Sequence, residues 1–320
     1  MPTYVFDFYN LYLPNQKPYV NKEFGVRIVP LKRTEIFESE RAKNGPYSIG
    51  GWKTAKCYIH ATNPDDALKY ADWLEWLYSF AQRRSIFFTS YYEFGDVKKY
   101  SRFYYKHIEV TQNRNPSLVV GIKTSGFLYT RDISFFIDKG LSTLKALGAT
   151  NHTQITKAIH AYLISLSDIA TELKFLVCWL TLERLANEIN YNKNLKLVTP
   201  QQLTCIKGKI SEILTECVQD RSAVESLKQN LLRDFLYEKN THQKVGSYLQ
   251  GLSIGIEYSK LRKILTDLIE IRIGLVHNLD GRRLMNKLSL LFILRKILEI
   301  VVLRLLGFDA ALQSKLLLSQ

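Results

Sequence analysis

Short hydrophobic runs fill the first half of the chain, and many of them are rich in Val, Ile, Phe, Tyr and Thr. Gly, Pro, Asn and Asp separate the runs, as is typical of turns between strands. The run at 55–61 roughly alternates between apolar and polar positions, which favours a half-buried strand. The pattern therefore predicts β-strands at 4–13, 25–30, 55–61, 86–94, 103–111 and 118–124.

One helix interrupts these strands, with a body at residues 67–83. Asn63 can cap it, and Pro64 suits its first turn. Two aspartates then follow, where the helix dipole favours negative charge. Apolar side chains recur along the body at helical spacing. Burial tendencies favour a core role over a base-stacking platform for this stripe, which consists of Trp73, Trp76, Leu77 and Phe80.

The pattern changes from about residue 141 to apolar residues at three- and four-residue steps, which predicts long amphipathic helices. Residues 154–190 form an almost uninterrupted helical pattern. Thr199, Pro200 and Gln202 have the order of a capping box at a helix start. The remaining segments predict a polar loop at 240–246 and two helices at 260–276 and 284–306.

The two patterns predict an α+β fold in which a β-rich mixed N-terminal domain precedes an all-α helical domain. We place the domains at 1–145 and 146–320. The length of 320 residues is sufficient for two domains of ordinary size. With 46% hydrophobic and 23% charged residues, the chain should form packed cores.

The chain is basic, with a formal net charge of +14 and a pI of about 9.4. This charge favours an acidic partner such as nucleic acid. Both halves carry it, so a generally basic surface explains it as well as a dedicated RNA path does. The most apolar segment is 288–306. The charged residues that interrupt it argue against a membrane span, and they are Arg295, Lys296, Glu299 and Arg304. The segment therefore predicts a core or interface helix.

The four cysteines form neither a CxxC pair nor a zinc-ligand spacing, and they are Cys57, Cys178, Cys205 and Cys217. We therefore expect reduced thiols, no structural metal and no cofactor. The N-terminal residues lack a basic region followed by an apolar core, so the sequence predicts no signal peptide. A cytoplasmic location follows as an expectation.

Arg272 and His277 lie five residues apart near the end of a predicted helix. A guanidinium donates two parallel hydrogen bonds to a phosphate, and an imidazole suits proton transfer near neutral pH. Arg272 also shares a helix face with four leucines, where a charge needs a partner. That partner is either a carboxylate, such as Glu183, or a phosphate at a cleft or subunit interface, and the residues alone leave both open.

The run Arg272-Ile273-Gly274-Leu275-Val276-His277 resembles the R-x(4–6)-H signature of the HEPN superfamily. Residues 182–185 are similar to the acidic and hydrophobic element on an early HEPN helix. Residues 303–308 are similar to the closing helix of HEPN proteins of the abortive-infection type. The resemblance covers roughly residues 150–310.

This resemblance implies a metal-independent endoribonuclease that cleaves RNA by attack of the ribose 2′-OH on the adjacent phosphorus. Arg272 and His277 would be catalytic, with Asn278 and Glu183 in support. The site would be composite in a homodimer formed through the helical domain, with the helix at 288–306 as an interface. The implied setting is prokaryotic antiviral defence by abortive infection. The N-terminal domain would then present RNA or sense a protein or phage-derived trigger.

Two other hypotheses stay open. Many active HEPN members have a polar residue directly after the arginine, whereas this chain has Ile273. That difference favours a non-catalytic HEPN-like module that binds RNA, a nucleotide or a partner protein. In the other hypothesis, the aromatic N-terminal domain is the functional half, and its aromatic side chains stack on nucleic-acid bases. The phosphates would be contacted by basic residues of this domain such as Arg83, Arg84, Lys98 and Lys99.

Overall fold

The described residues form an antiparallel sheet followed by a helical region, which confirms the predicted α+β class. The computed structural model describes residues 1–13, 16–32, 35, 53–83, 85–95, 99–101, 130–147, 149–167, 169–190, 198–231, 240–278 and 281–308. Unit 1 is Met1–Thr181 with Gly281–Gln320, and unit 2 is Leu182–Asp280. The domains proposed at 1–145 and 146–320 stay a prediction.

The sheet has six strands in the described residues, in the order β2-β3-β4-β1-β5-β6, and every neighbouring pair is antiparallel. The strands are β1 (Thr3–Tyr9), β2 (Tyr19–Asn21), β3 (Val26–Pro30), β4 (Lys53–His60), β5 (Phe87–Glu93) and β6 (Lys99–Ser101). Four of the predicted strands are confirmed, as β1, β3, β4 and β5. The short β2 and β6 were not predicted, and the strands expected at 103–111 and 118–124 lie outside the described residues.

Strand β1 is the hydrophobic centre of the sheet. All its residues from Tyr4 to Tyr9 are buried. Because successive side chains point to opposite faces, both faces of this strand are covered. Helix α1 (Pro64–Gln82) packs against the sheet, with Trp73, Leu77 and Phe80 in the core. Three residues of the predicted stripe are thus in the core, whereas Trp76 is only partly buried.

Helix α1 begins where its local signals predict. The Asn63 side chain accepts a hydrogen bond from the Asp66 backbone N–H at 2.8 Å. The later helices are α2 (Thr130–Ala146), α3 (Ala149–Leu166), α4 (Thr171–Asn190), α5 (Pro200–Cys217), α6 (Arg221–Leu231), α7 (Thr241–Gly251), α8 (Tyr258–Asn278), α9 (Arg282–Asn286) and α10 (Leu288–Leu305). The capping box predicted at Thr199 is present at the start of α5.

The long helix expected at 154–190 is two helices, α3 and α4. The Ser165 and Ser167 hydroxyls donate to the carbonyls three residues earlier, both at 2.6 Å. Such local bonds compete with helix continuation. Arg295 also donates to the Ser165 carbonyl and occupies an acceptor at the end of α3. The break therefore depends partly on a residue 130 positions away in sequence.

The loop expected at 240–246 was wrong, because residues 241–251 form α7. Asn240 is its N-cap: the Asn240 side chain accepts from the Gln243 backbone N–H at 2.9 Å. The Gln243 side chain accepts from the Asn240 backbone N–H at 3.0 Å, which completes a capping box. The polar composition of this segment is that of a helix start.

Helix α10 is a core helix of unit 1. Its apolar residues from Leu290 to Leu303 are largely buried, and it packs against α3. The helix expected at 284–306 is interrupted at Lys287, which separates the short α9 from α10. Most of the apolar surface of α10, which was expected to serve as a subunit interface, is therefore buried within the same chain. Leu288 and Phe292 are exposed on α10.

We predict that two of the four cysteines react with a thiol reagent in the native protein. Cys57 and Cys178 are buried, whereas Cys205 and Cys217 are exposed. Burial raises the pKa of the Cys178 thiol to about 11 and that of the Cys57 thiol further, so little reactive thiolate forms at pH 8. Mass spectrometry should find label on the two exposed cysteines only, and rapid native labelling of Cys57 or Cys178 would contradict these core positions.

Candidate functional site on helix α8

The leucine face of helix α8 forms part of the core of unit 2. Leu261, Leu265 and Leu268 are buried along it, and Leu275 continues the row toward the C-terminal end. The helix packs against α7 in the same unit. Burial of this face fixes the rotation of α8, so the positions of its polar residues follow from the leucine pattern.

Arg272 is partly buried beside the leucine row, and His277 is exposed in the last turn of α8. Five residues of an α-helix correspond to a rise of about 7.5 Å and a rotation of about 140°. The two residues therefore lie on different sides of the same helix end. Among the described residues, no ion pair holds either side chain.

Glu183 was expected as a partner for Arg272 or a supporting residue, and the structure gives it another contact. Its Oε1 accepts a hydrogen bond from the Thr241 hydroxyl at 3.3 Å. Its Oε2 is buried with no hydrogen-bond partner in the described part of the chain. Thr241 is the first residue of α7, so the carboxylate lies where that helix dipole favours negative charge.

Two apolar side chains are exposed at the same end of α8. Ile273 is 45% exposed and Val276 is 43% exposed. Ile273 lies one turn before His277, and Val276 lies one turn after Arg272, so each candidate catalytic residue has an apolar neighbour on its side of the helix. Asn278 is the last residue of α8.

Other histidines have structural contacts. The His152 ring packs edge-on against Trp73 at 5.2 Å between centroids and bonds the Leu144 carbonyl. His160 lies against Trp76, and burial lowers its pKa. His60 bonds Thr3 at 2.8 Å. His107 lies outside the described residues.

The basic residues proposed for nucleic-acid binding in the N-terminal half are only partly described. Arg83 ends α1, and its Nη2 lies 3.2 Å from both carboxylate oxygens of Glu299. Because its guanidinium is bound to Glu299, Arg83 is not a candidate for contacting a phosphate. Lys99 lies on β6, and Arg84 and Lys98 lie outside the described residues.

A small cavity between α7 and α8 was missed by the sequence analysis. It has a volume of about 120 Å³ and is lined by His242, Gln243, Gly246, Ser247, Gln250, Tyr258, Arg262 and Leu265. His242 Nε2 lies 3.2 Å from the Arg262 carbonyl oxygen and must donate to it, since a carbonyl only accepts. Because residues 240–246 were predicted to be a loop, the packing of α7 against α8 was not predicted. The capping residues Asn240 and Gln243 do indicate the start of α7.

Comparison of the chain with family models, curated proteins and solved structures finds no match. None of the helices in the described ranges is long and apolar enough to span a membrane. No group of three or more His, Cys, Asp and Glu side chains within the described part of the chain could hold a metal ion.

Proposed function

We propose that this protein is a metal-independent endoribonuclease of HEPN type, with Arg272 and His277 as its catalytic residues. The observation that supports this most directly is the C-terminal end of α8, which brings a permanent cation and an exposed imidazole within two turns. Neither side chain is held by an ion pair in the described residues. Both are thus available to a phosphate and its neighbouring hydroxyl groups.

The chemistry assigns one role to each residue. The ribose 2′-OH attacks the adjacent phosphorus, one imidazole accepts the 2′ proton, and another group protonates the departing 5′ oxygen. Arg272 stabilises the negative charge of the phosphorane with hydrogen bonds that need no proton transfer. The reaction leaves a 2′,3′-cyclic phosphate and a 5′-hydroxyl, and its need for a 2′-OH restricts the substrate to RNA.

A homodimer would supply the second proton-transfer group. Within one chain, Arg272 and His277 are about 140° apart around α8, so they do not converge on one phosphate from the same helix face. A twofold axis near this helix end would place two copies of each residue around one cleft. The exposed Ile273 and Val276 give this end of the helix apolar surface for such a contact.

In this proposal the protein acts in the cytoplasm in prokaryotic antiviral defence by abortive infection, and the N-terminal domain responds to a protein or phage-derived trigger. The basic net charge of +14 is consistent with an RNA partner. The link to defence is based on the resemblance to HEPN proteins.

A comparison of two oligonucleotides that differ only in the sugar tests whether the 2′-OH is the attacking group. Wild-type protein is incubated with an RNA and with the same sequence carrying 2′-deoxyribose throughout. We expect cleavage of the RNA only, with 2′,3′-cyclic phosphate at the new ends. Cleavage of both oligonucleotides, or 3′-hydroxyl ends, would contradict attack by the 2′-OH.

Ile273 supports a second candidate function, a non-catalytic HEPN-like module that binds RNA, a nucleotide or a partner protein. An exposed isoleucine beside Arg272 provides no hydrogen bond to position a scissile phosphate. RNA binding that is lost in Arg272→Ala, without cleavage by wild-type protein, would favour this function over the nuclease.

Substitution of Ile273 by aspartate is predicted to convert the dimer to a monomer, because the charge would be desolvated at the contact. Light scattering of the purified protein measures the change in mass. Ile213→Asp is the matched control, since Ile213 is 57% exposed on α5 and outside the proposed contact. An unchanged mass for Ile273→Asp, or the same loss in both variants, would contradict the proposed contact.

A further inference from the structure

The cavity between α7 and α8 has one strong cation at its rim and two buried residues among its lining. Arg262 and Tyr258 lie one turn apart on α8 and are both exposed. Gly246 and Leu265 also line the cavity and are buried. The Arg262 guanidinium forms no ion pair with any of the described residues. The lining therefore combines a bidentate donor with a buried, partly apolar side.

Gly246 lines this cavity without a side chain. It lies inside helix α7, where glycine is less favourable than alanine. A Cβ atom added at this position would meet the Leu265 Cδ1 at 3.5 Å, which is an ordinary contact. Packing therefore does not require a glycine here, and a methyl group would instead occupy part of the space beside Leu265.

The sequence around the cavity is mainly basic, and the nearest acidic group that the structure shows at α7 is the Glu183 carboxylate beside Thr241. Residues 240–266 contain Lys244, Lys260, Arg262 and Lys263 as basic residues, with Glu257 as the acidic one. His242 is held at the cavity by its hydrogen bond to the Arg262 carbonyl, which ties α7 to α8 at this point. The side-chain amides of Gln243 and Gln250 add neutral donors to the lining. An anionic group satisfies this set of donors better than a neutral or cationic one.

We propose that this cavity binds the phosphoryl group of a small phosphate monoester of the mononucleotide type. A volume of about 120 Å³ is enough for a phosphoryl group. A terminal phosphate has one substituent and can approach a small cavity from one side, whereas a phosphodiester must extend on both sides. The exposed Tyr258 ring, one turn from Arg262, offers a face on which the base stacks outside the cavity.

The site is separate from the proposed nuclease residues. Arg272 and His277 do not line the cavity, and Arg272 lies about 15 Å further along the axis of α8 than Arg262. Binding at the cavity therefore does not depend on the proposed nuclease function. Arg272→Ala should leave the dissociation constant of the mononucleotide unchanged.

Titration calorimetry of the full chain with AMP, inorganic phosphate and adenosine tests the ligand chemistry. We expect AMP to bind most tightly, phosphate to bind and compete with AMP, and adenosine to bind at least about tenfold more weakly than AMP. Adenosine binding as tight as AMP binding would overturn the role of the phosphoryl group. Binding of an RNA strand at Arg262 without any binding of AMP would overturn the monoester assignment.

Two pairs of variants locate the site. Arg262→Gln should weaken AMP binding at least about tenfold, whereas Lys263→Gln removes the same charge from the next exposed residue and should change it less than about twofold. Gly246→Ala should weaken AMP binding, because the methyl group takes up part of the cavity, while the midpoint of thermal unfolding stays or rises. Gly251→Ala is its control, because a Cβ there meets nothing within 4 Å in the same helix. Unchanged AMP binding in both Arg262→Gln and Gly246→Ala, or no AMP binding by wild-type protein at millimolar concentration, would refute the proposal.

Discussion

Arg272→Ala is expected to lower the rate of metal-independent RNA cleavage by at least about a thousandfold, which is the scale of losing a cation that stabilises a phosphorane. Arg272 is partly buried at the end of the leucine face of α8, with no ion pair in the described residues. Its loss should therefore remove a catalytic contact and leave the fold intact. Cleavage rates and thermal unfolding of the same preparations measure both effects.

The control for this variant is Lys263→Ala, which removes one positive charge from an exposed position on the same helix. Its cleavage rate should stay within about threefold of wild type, because a distant surface charge contributes little after screening by salt. Equal losses in the two variants would indicate a general effect of charge on RNA binding. Full activity in Arg272→Ala would contradict the proposed site.

Glu299→Ala is expected to destabilise the protein by about 3–5 kcal/mol, the usual range for breaking a buried ion pair on one side. Glu299 is 3% exposed on α10. Its carboxylate accepts hydrogen bonds from Arg83 and from the Tyr162 hydroxyl, all at 3.2 Å, and Lys296 lies 3.6 Å away. Burial lowers the pKa of Arg83, but the charges and hydrogen bonds of Glu299 and Tyr162 together outweigh burial, and the pKa is raised. Denaturant unfolding measures the loss.

Glu188→Ala is the matched control for Glu299→Ala. Glu188 pairs with Arg184 at 2.6 Å one turn away on α4, but its side chain is 32% exposed and that of Arg184 is 61% exposed. Such a surface pair contributes about 0.5 kcal/mol or less. A double substitution, Arg83→Leu with Glu299→Leu, should recover part of the lost stability because neither member of the Arg83–Glu299 pair is left behind as an unpaired charge. A free energy of unfolding for Glu299→Ala within about 1 kcal/mol of wild type would contradict this network.

The sequence predicted those elements whose signals are local. Asn63 and Thr199 were identified as helix caps because the residues that they bond lie within the next three positions. The alternation in β4 was readable because one face of that strand is buried and the other is partly exposed. The leucine row of α8 likewise predicted its buried face, and with it the position of Arg272 beside that face.

Elements that depend on distant partners were missed. The end of α3 involves Arg295, and the ion pair of Arg83 joins positions 216 residues apart, so neither contact has a signature in its own segment. The segment after Asn240 was assigned to a loop from its polar composition, although its capping box was readable. Glu183 was proposed as a partner of Arg272, but its hydrogen bond to Thr241 depends on α7, the helix that was missed.

The most direct test of the central claim is RNA cleavage by purified wild-type protein in excess EDTA, compared with His277→Ala. The proposed nuclease predicts that wild-type protein cleaves under these conditions and leaves 2′,3′-cyclic phosphate ends, while His277→Ala does not cleave. Equal cleavage by the two proteins, or wild-type cleavage that requires a divalent metal ion, would contradict it.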